Sequence, residues 1–441
     1  MKIARIDLWH VAPPLPAPFY PSWIPGFRQT ENRFTLARLV TTSGIEGYSA
    51  APAMGQERQG LGSLLGPYFL GERADDIASV RQRIREMGYL GWRVGWLEAA
   101  CWDAIGKARG VPVYKLLGGT GGRVRLYAST GEVKEAKDRI PEVEARLSEG
   151  FAGVKLRVHD ADPEVDIAQI RDTARAIGGR GKLMVDANQG WRVAVISDAP
   201  RWDYDRALRF CNVAAEHDYA WVEEPLPQDA YEDLAKLRAN TEVNIAGGEL
   251  NSQGLPEFKH MIERGCYDVY QPDAVMTGGI AETWAIMKHA EAAGAVYDPH
   301  TWTNGIGFAI NLQLFAASAH RETLLLEYPF NPPGWMPEAR DGLLLQPWLH
   351  DKGFLELPTT PGLGFDIDQS ALRRHGTHFY TATKLRVAIR TVLDRGIAGA
   401  KDAGAKRDAR LADRCKALDA IEDPPAAALA ELAPPPKAPA P

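Results

Sequence analysis

The 441-residue chain has only 4 cysteines, Cys101, Cys211, Cys266 and Cys415, with no CxxC pair and no close spacing. That scarcity argues against a disulfide framework or a thiolate metal site and fits reduced thiols in a cytosolic protein. No apolar run approaches the ~20 residues that cross a bilayer. The opening stretch, MKIARIDLWHVAPPLP, breaks its apolar residues with Asp7 and His10, so no secretory core is expected there. Excess positive charge is also missing. A net charge of -6 argues against nucleic acid or an anionic membrane as the main partner. What is present, 45% hydrophobic and 24% charged residues, suits a globular protein with a large core. A cytoplasmic enzyme acting on a small molecule is the expectation.

Residues 1–120 read as α+β. FTLARLVTTSGIEGYSA (34–50) carries two β-rich runs around Ser43-Gly44, and RVGWLEAACWDAIGKARG (93–110) is a helix with Gly110 at its C-cap. From residue 124 a rhythm begins. Eight short apolar runs, VRLYAS, GVKLRV, KLMVDAN, YAWVEEP, VNIAGGE, CYDVYQPD, GAVYDPH and LLLEYP, mostly alternate with helical segments. That alternation predicts a parallel α/β barrel over residues 121–350 rather than a doubly wound sheet. Residues 351–370 are expected to return to the first domain, 371–420 to form a basic helical extension, and 421–441 to be an Ala/Pro-rich disordered tail.

GFAGVKLRVHD (150–160) places Lys155, Arg157 and His159 at every second position, on one face of a strand. Clustered positive charge in an apolar setting requires a negative partner. The other runs supply it, because most end on polar residues: Asp186, Asn188, Glu223, Glu224, Glu249, Asp273, His300 and, nearly so, Glu327. In a barrel, all strand C-termini converge on one face, where active sites sit.

Asp186, Glu223 and Glu249 close three consecutive runs. Three buried carboxylates repel one another unless a cation joins them, and an all-oxygen set favours Mg2+ first and Mn2+ second. Asp273 and His300 end adjacent runs. A carboxylate bonded to one ring nitrogen fixes the tautomer and raises the basicity of the other. Arg157 cannot serve as a base, since guanidinium keeps its proton. Lys155 is expected to stay charged and hold a substrate carboxylate. His159 lies beyond the strand end and is read as structural rather than catalytic. His300 is therefore the proton carrier.

The chain resembles the enolase superfamily, mandelate racemase subgroup, over residues 1 to about 370. The resemblance rests on AACWDAIGKARGVPVYKLLGG, VKLR, VDANQGW, VEEPLP, GGEL, QPDAVMTGGI, DPHTW and LEYP, eight motifs in order. It implies a modified TIM barrel, (β/α)7β, under an N-terminal α+β capping domain. It also implies one Mg2+ on Asp186, Glu223 and Glu249, with the Asp273/His300 pair as base. Glu327 matches the acid that hydrogen-bonds the substrate carboxylate opposite the metal. Racemases of the subgroup carry Lys-x-Lys on the second strand, whereas Arg157 stands at the second position here. Racemisation needs a base on each face, and only one is evident.

The activity expected is dehydration of a sugar acid, aldonate or aldarate, to a 2-keto-3-deoxy acid; the alternative is racemisation or epimerisation of a 2-hydroxy acid. A non-catalytic scaffold acting through the basic tail is a further, weaker rival. The aromatic, Pro-rich loop PFYPSWIPGFRQ (18–29) supplies Tyr20, Trp23 and Arg28 as substrate-binding candidates, together with Asn188 and Trp302 from the barrel. RVAVISDAPRWDYDRALRF (192–210) lengthens the interval after the third run and predicts an extra lid or contact loop. Exposed barrel helices point to a homo-oligomer.

Overall fold

The computed structural model describes residues 1–435. Eight parallel strands form one ladder: Arg123–Ser129, Gly153–Arg157, Lys182–Asp186, Trp221–Glu223, Asn244–Gly247, Val269–Tyr270, Val296–Tyr297 and Leu326–Pro329. Counted in chain order, the seventh pairs with the sixth and so on down to the first, which pairs with the eighth. The seventh and eighth share no ladder. Thr301 links them instead, its N–H donating to Glu327 Oε2 at 2.6 Å and its hydroxyl to the Glu327 carbonyl at 3.1 Å. A helix follows each of the first seven strands, from Ala136–Ser148 to Gly305–Phe315. This is the (β/α)7β order.

The strands form because their residues are buried on both faces, as in Gly153–Arg157, where every residue is buried. The helices carry local start and stop signals. Asp162 caps Pro163–Ile177 by accepting from Glu164 N at 2.9 Å, and Gly178 ends it at φ 57°.

The cap is an antiparallel sheet of Ile3–Val11, Phe34–Thr41 and Glu46–Pro52, backed by helices Ile77–Tyr89 and Glu98–Arg109. The hairpin turns at Gly44 (φ 82°) and the second helix ends at left-handed Gly110 (φ 68°), both as the sequence predicts. One apolar cluster runs from Leu8 and Leu36 of the cap sheet through Trp102 to Phe308 and Phe315 of the barrel. Cap and barrel therefore share a core, which fixes the cap loops over the strand ends.

The C-terminal part differs from expectation in three ways. Phe354–Glu356 pairs antiparallel with the first barrel strand, so this piece of the return segment belongs to the barrel. The contact with the cap comes later, where Val113 N donates to Gly362 O at 2.8 Å and Leu363 N to Asp103 Oδ1 at 2.8 Å. Within the supposedly helical 371–420, Gly376–Thr383 is a strand that extends the cap sheet along Ile3–Val11. The alternation in GTHFYTAT suits an added edge strand, and the basic flanks concealed it. Helix Lys384–Leu418 follows, broken at Gly396 (φ 71°). Finally, Pro424–Ala430 is helical, started by Asp423 and Pro424, with Ala428 and Leu429 buried. The remainder of the expected disordered tail, 436–441, lies outside the described residues.

Candidate active site

The strand ends bring the acidic and basic candidates into one buried cluster. Asp186 and Glu223 are register partners on adjacent strands, and Glu223 pairs with Ala246, three residues before Glu249. Lys155 and Arg157 project from the second strand between them and the first. Lys155 Nζ stands 2.6 Å from Glu223 Oε1 and 2.7 Å from Glu327 Oε1. Arg157 pairs with Asp186 and donates from Nε to Thr130 O at 2.7 Å. Its guanidinium also lies over Trp23 and Trp302, 5.4 and 5.6 Å from the ring centres. The negative partners of the basic row are thus Asp186, Glu223 and Glu327.

His159 does not share this arrangement. Its Nε2 is 2.7 Å from Ser22 O, so it ties the cap loop to the barrel, and burial holds its pKa below the usual value.

His300 Nδ1 lies 3.0 Å from Asp273 Oδ2, and Nε2 faces Glu249 Oε2 at 3.4 Å. Asp273 Oδ1 accepts from Asn311 Nδ2 at 2.7 Å and Val275 N at 2.8 Å. With Asp273 accepting, Nδ1 carries the hydrogen and Nε2 is the end that exchanges protons. Burial opposes charge on His300, but Glu249, the Asp273 hydrogen bond and Glu327 raise its pKa to about 9. Burial likewise opposes charge on Lys155 and Glu327. Glu223 and Glu327 nevertheless hold Lys155 above its ordinary value, while Lys155 and His300 hold Glu327 down to about 2.

Among the described residues, no three Asp, Glu, His or Cys side chains converge closely enough to hold an ion in the observed rotamers. The reason is internal pairing. Asp186 is turned onto Arg157 and Glu223 onto Lys155, and Glu249 accepts from Trp191 Nε1 at 2.9 Å beside His300. The donor set still fits a hard divalent cation. Asp186, Glu223, Glu224, Glu249, Asp273, Asp298 and Glu327 are all buried, while the permanent cations among them are Lys155 and Arg157. Burial together with Glu223 and Glu249 pushes the Asp186 pKa up despite Arg157. All the oxygens come from carboxylates on neighbouring strand ends, the chemistry Mg2+ selects.

The substrate-binding candidates separate. Asn188 joins the cluster, donating to Asp186 Oδ2 at 3.0 Å and accepting from Ser22 Oγ at 2.6 Å. Trp23, Arg28 and Trp302 line a cleft of ≈ 270 Å³ between the cap loop and the barrel. Trp302 is also structural, donating to Ser129 Oγ at 2.7 Å and packing on Phe19, Trp23 and Trp335. Tyr20 is not in that cleft. It faces a separate one of ≈ 410 Å³ with Glu132, Lys134 and His159, because its backbone N–H is held by Glu132. The loop after the third strand meets the cap, Ser197 Oγ donating to Pro25 O at 3.0 Å, as a contact loop should.

Two matches to family models decide the family. Residues 8–118 match the mandelate racemase / muconate lactonizing enzyme N-terminal domain, and 138–371 match the enolase C-terminal domain-like model. The chain belongs to the mandelate racemase/muconate lactonizing enzyme family of the enolase superfamily. Neither match extends past residue 371. An arabinonate dehydratase of Saccharolobus solfataricus is 27% identical over 359 residues, 78% of this chain and 91% of the relative. A D-galactarolactone cycloisomerase of Agrobacterium fabrum is 30% identical, covering 63% and 71% of the two chains. An L-talarate/galactarate dehydratase of Salmonella typhimurium is 28% identical, covering 78% and 83%. Among solved structures, an L-talarate dehydratase from Polaromonas sp. JS666, complexed with Mg and L-glucarate, superposes with a TM-score of 0.70 at 25% identity. It covers 86% of this chain and 98% of that one.

Several residues of this family member's site were not singled out from sequence. Ser129 donates to Glu327 Oε1 at 2.8 Å, Gln271 Nε2 to Glu223 Oε2 at 2.9 Å, and Trp221 Nε1 to the same oxygen at 3.2 Å. Ser129 closes the first strand and Gln271 follows the sixth, and those positions were a usable signal. Asp298, buried with both carboxylate oxygens unpartnered, sits in DPHTW two residues before His300.

Proposed function

We propose that this enzyme is a Mg2+-dependent dehydratase of a sugar acid, an aldonate or aldarate. The observation that carries the reading is the His300–Asp273 pair, whose Nε2 faces Glu249 in the buried cluster that also holds Lys155. The dehydratase names of relatives acting on arabinonate and on talarate or galactarate support the substrate class.

Asp186, Glu223 and Glu249 would hold the Mg2+, with Mn2+ as a substitute. When bound, the ion supplies positive charge that stabilises the substrate carboxylate as it takes on the electrons of the departing proton. Lys155 adds a fixed ammonium for the same carboxylate, and Glu327, anchored by Ser129 and Thr301, sits beside it as an oriented hydrogen-bonding group. His300 Nε2 removes the α-proton to give an ene-diolate. Expulsion of the β-hydroxyl follows, the imidazolium returning its proton to the leaving oxygen. Water and an enol are released, and the enol becomes a 2-keto-3-deoxy acid. To accept the proton His300 must be neutral; Glu249 is the strongest charge holding its pKa up, so neutralising Glu249 favours the base form.

One-base chemistry also separates this reading from racemisation. Lys155 is fully paired and strongly held in its charged form, Arg157 is a guanidinium, and His159 is bound to Ser22. The test is a Mg2+-supplemented panel of aldonates and aldarates with chemical detection of 2-keto-3-deoxy acids. Keto acid from one or more members is expected. Deuterium uptake from D2O into recovered substrate, with no keto acid from any, would show the epimerase alternative instead.

A further inference from the structure

The second glutamate of VEEP, Glu224, has no task in the mechanism above, yet it is 1% exposed and neither carboxylate oxygen has a hydrogen-bond partner. A buried carboxylate in that state is costly, and native proteins satisfy such groups. It is not in a loose loop. Its N–H donates to Ala246 O at 2.9 Å and its carbonyl accepts from Gln189 N at 2.9 Å, so its backbone is held by the strands on both sides.

Simple alternation along the fourth strand would turn Glu224 away from Glu223, toward the helices. The backbone at Glu224 is instead left-handed, φ 47°, a conformation rarely adopted by glutamate. Its carboxylate lies against Gly190, which stands between Asn188, whose amide donates to Asp186 Oδ2 at 3.0 Å, and Trp191, whose indole donates to Glu249 Oε1 at 2.9 Å. Space for it is made by Gly190, where a Cβ would lie 2.1 Å from Glu224 Oε1 and 2.4 Å from its Cδ. Left-handed backbone, an absent Cβ and two unpartnered oxygens all serve one outcome. They set a fourth carboxylate beside the segment that holds Asp186 and Glu249.

We infer that Glu224 is a fourth acidic donor of the cation site, supplying charge and acceptor oxygens to the ion and its water shell. This rests on the proposed Mg2+ site at Asp186, Glu223 and Glu249. The glycine at 190 is then a requirement of ion binding rather than of folding.

The test is calorimetric titration of the full-length protein with Mn2+, comparing wild type with Glu224→Gln, Gly190→Ala and Asp186→Asn, alongside thermal melting without added metal. Glu224→Gln is expected to weaken Mn2+ binding about 10–100-fold, the range for outer carboxylates at metal sites. It should melt no lower than wild type, since no hydrogen bond is lost. Gly190→Ala, which displaces the carboxylate, is expected to weaken Mn2+ binding in the same direction and stands in if Glu224→Gln does not fold. Unchanged affinity in whichever of these variants folds, with binding lost in Asp186→Asn, would overturn the role of Glu224 alone. Unchanged affinity in Asp186→Asn as well would overturn the metal site beneath it.

Discussion

His300 Nδ1 is 3.0 Å from Asp273 Oδ2, and Asp273 is itself pinned by Asn311 and the Val275 N–H. The imidazole is thus oriented from behind, with Nε2 directed at Glu249. His300→Asn should lower kcat about 10²–10⁴-fold, the usual contribution of a positioned base, while Mn2+ binding by calorimetry stays intact. Asp273→Asn should also lower kcat. It removes a charge that raises the His300 pKa, so the acid limb of the kcat/KM profile should move to lower pH; an unmoved limb would contradict the pairing.

By the resemblance to the subgroup's racemases, Arg157 stands at the second lysine of Lys-x-Lys. Arg157→Lys should therefore open proton transfer on the opposite face of the substrate. The expected outcome in D2O is α-deuterium in recovered substrate at a rate above wild type, with slower dehydration, because the ammonium cannot reproduce both the Asp186 pairing and the stacking on Trp23 and Trp302.

The fold's outline was legible because the barrel strands are short, largely buried apolar runs that mostly close on or just before a polar residue, as in GVKLR and KLMVD. Asp186, Glu223, Glu249, Asp273 and His300 followed from that rule, and Lys155 and Arg157 from alternation along the second run. The groups that orient them did not. Ser129, Trp191, Gln271 and Asn311 act across strands or from a following helix, and no spacing along the chain states which carboxylate each will meet. Internal pairing was illegible for the same reason: sequence placed Asp186 among cations but could not show that it turns onto Arg157. The edge strand Gly376–Thr383 and the break at Gly396 were hidden because edge pairing and a glycine's backbone angle depend on the surface the chain meets.

Glu98 joins the cap to the barrel, its Oε2 accepting from Ala281 N at 3.1 Å while Oε1 is unpartnered. Burial, and to a lesser degree Glu282, raise its pKa to about 7 against the pull of Arg81 and Ala281 N–H. The folded value exceeds the unfolded one, so the stabilisation is complete below the unfolded pKa and disappears as pH rises through about 7. The full effect is about 3 kcal/mol for a shift of this size. Wild type should melt lower at pH 8 than at pH 6, and Glu98→Gln should reduce that difference. An identical difference in both proteins would contradict the assignment.

The C-terminal segment docks on the cap through buried Leu411 and Leu418 and through Arg414, which pairs with Asp76 at 2.5 and 2.6 Å. Leu418→Ala should cost about 2–5 kcal/mol of local stability. Limited proteolysis should then cut within 397–418 faster than in wild type, with the barrel fragment remaining intact.

The most direct measurement follows the α-proton of an accepted sugar acid in D2O with Mg2+, in wild type and in His300→Asn. The account predicts that wild type converts the substrate to a 2-keto-3-deoxy acid while His300→Asn neither forms keto acid nor exchanges the α-proton, despite retaining bound metal. Turnover or α-proton exchange by His300→Asn at the wild-type rate would contradict it.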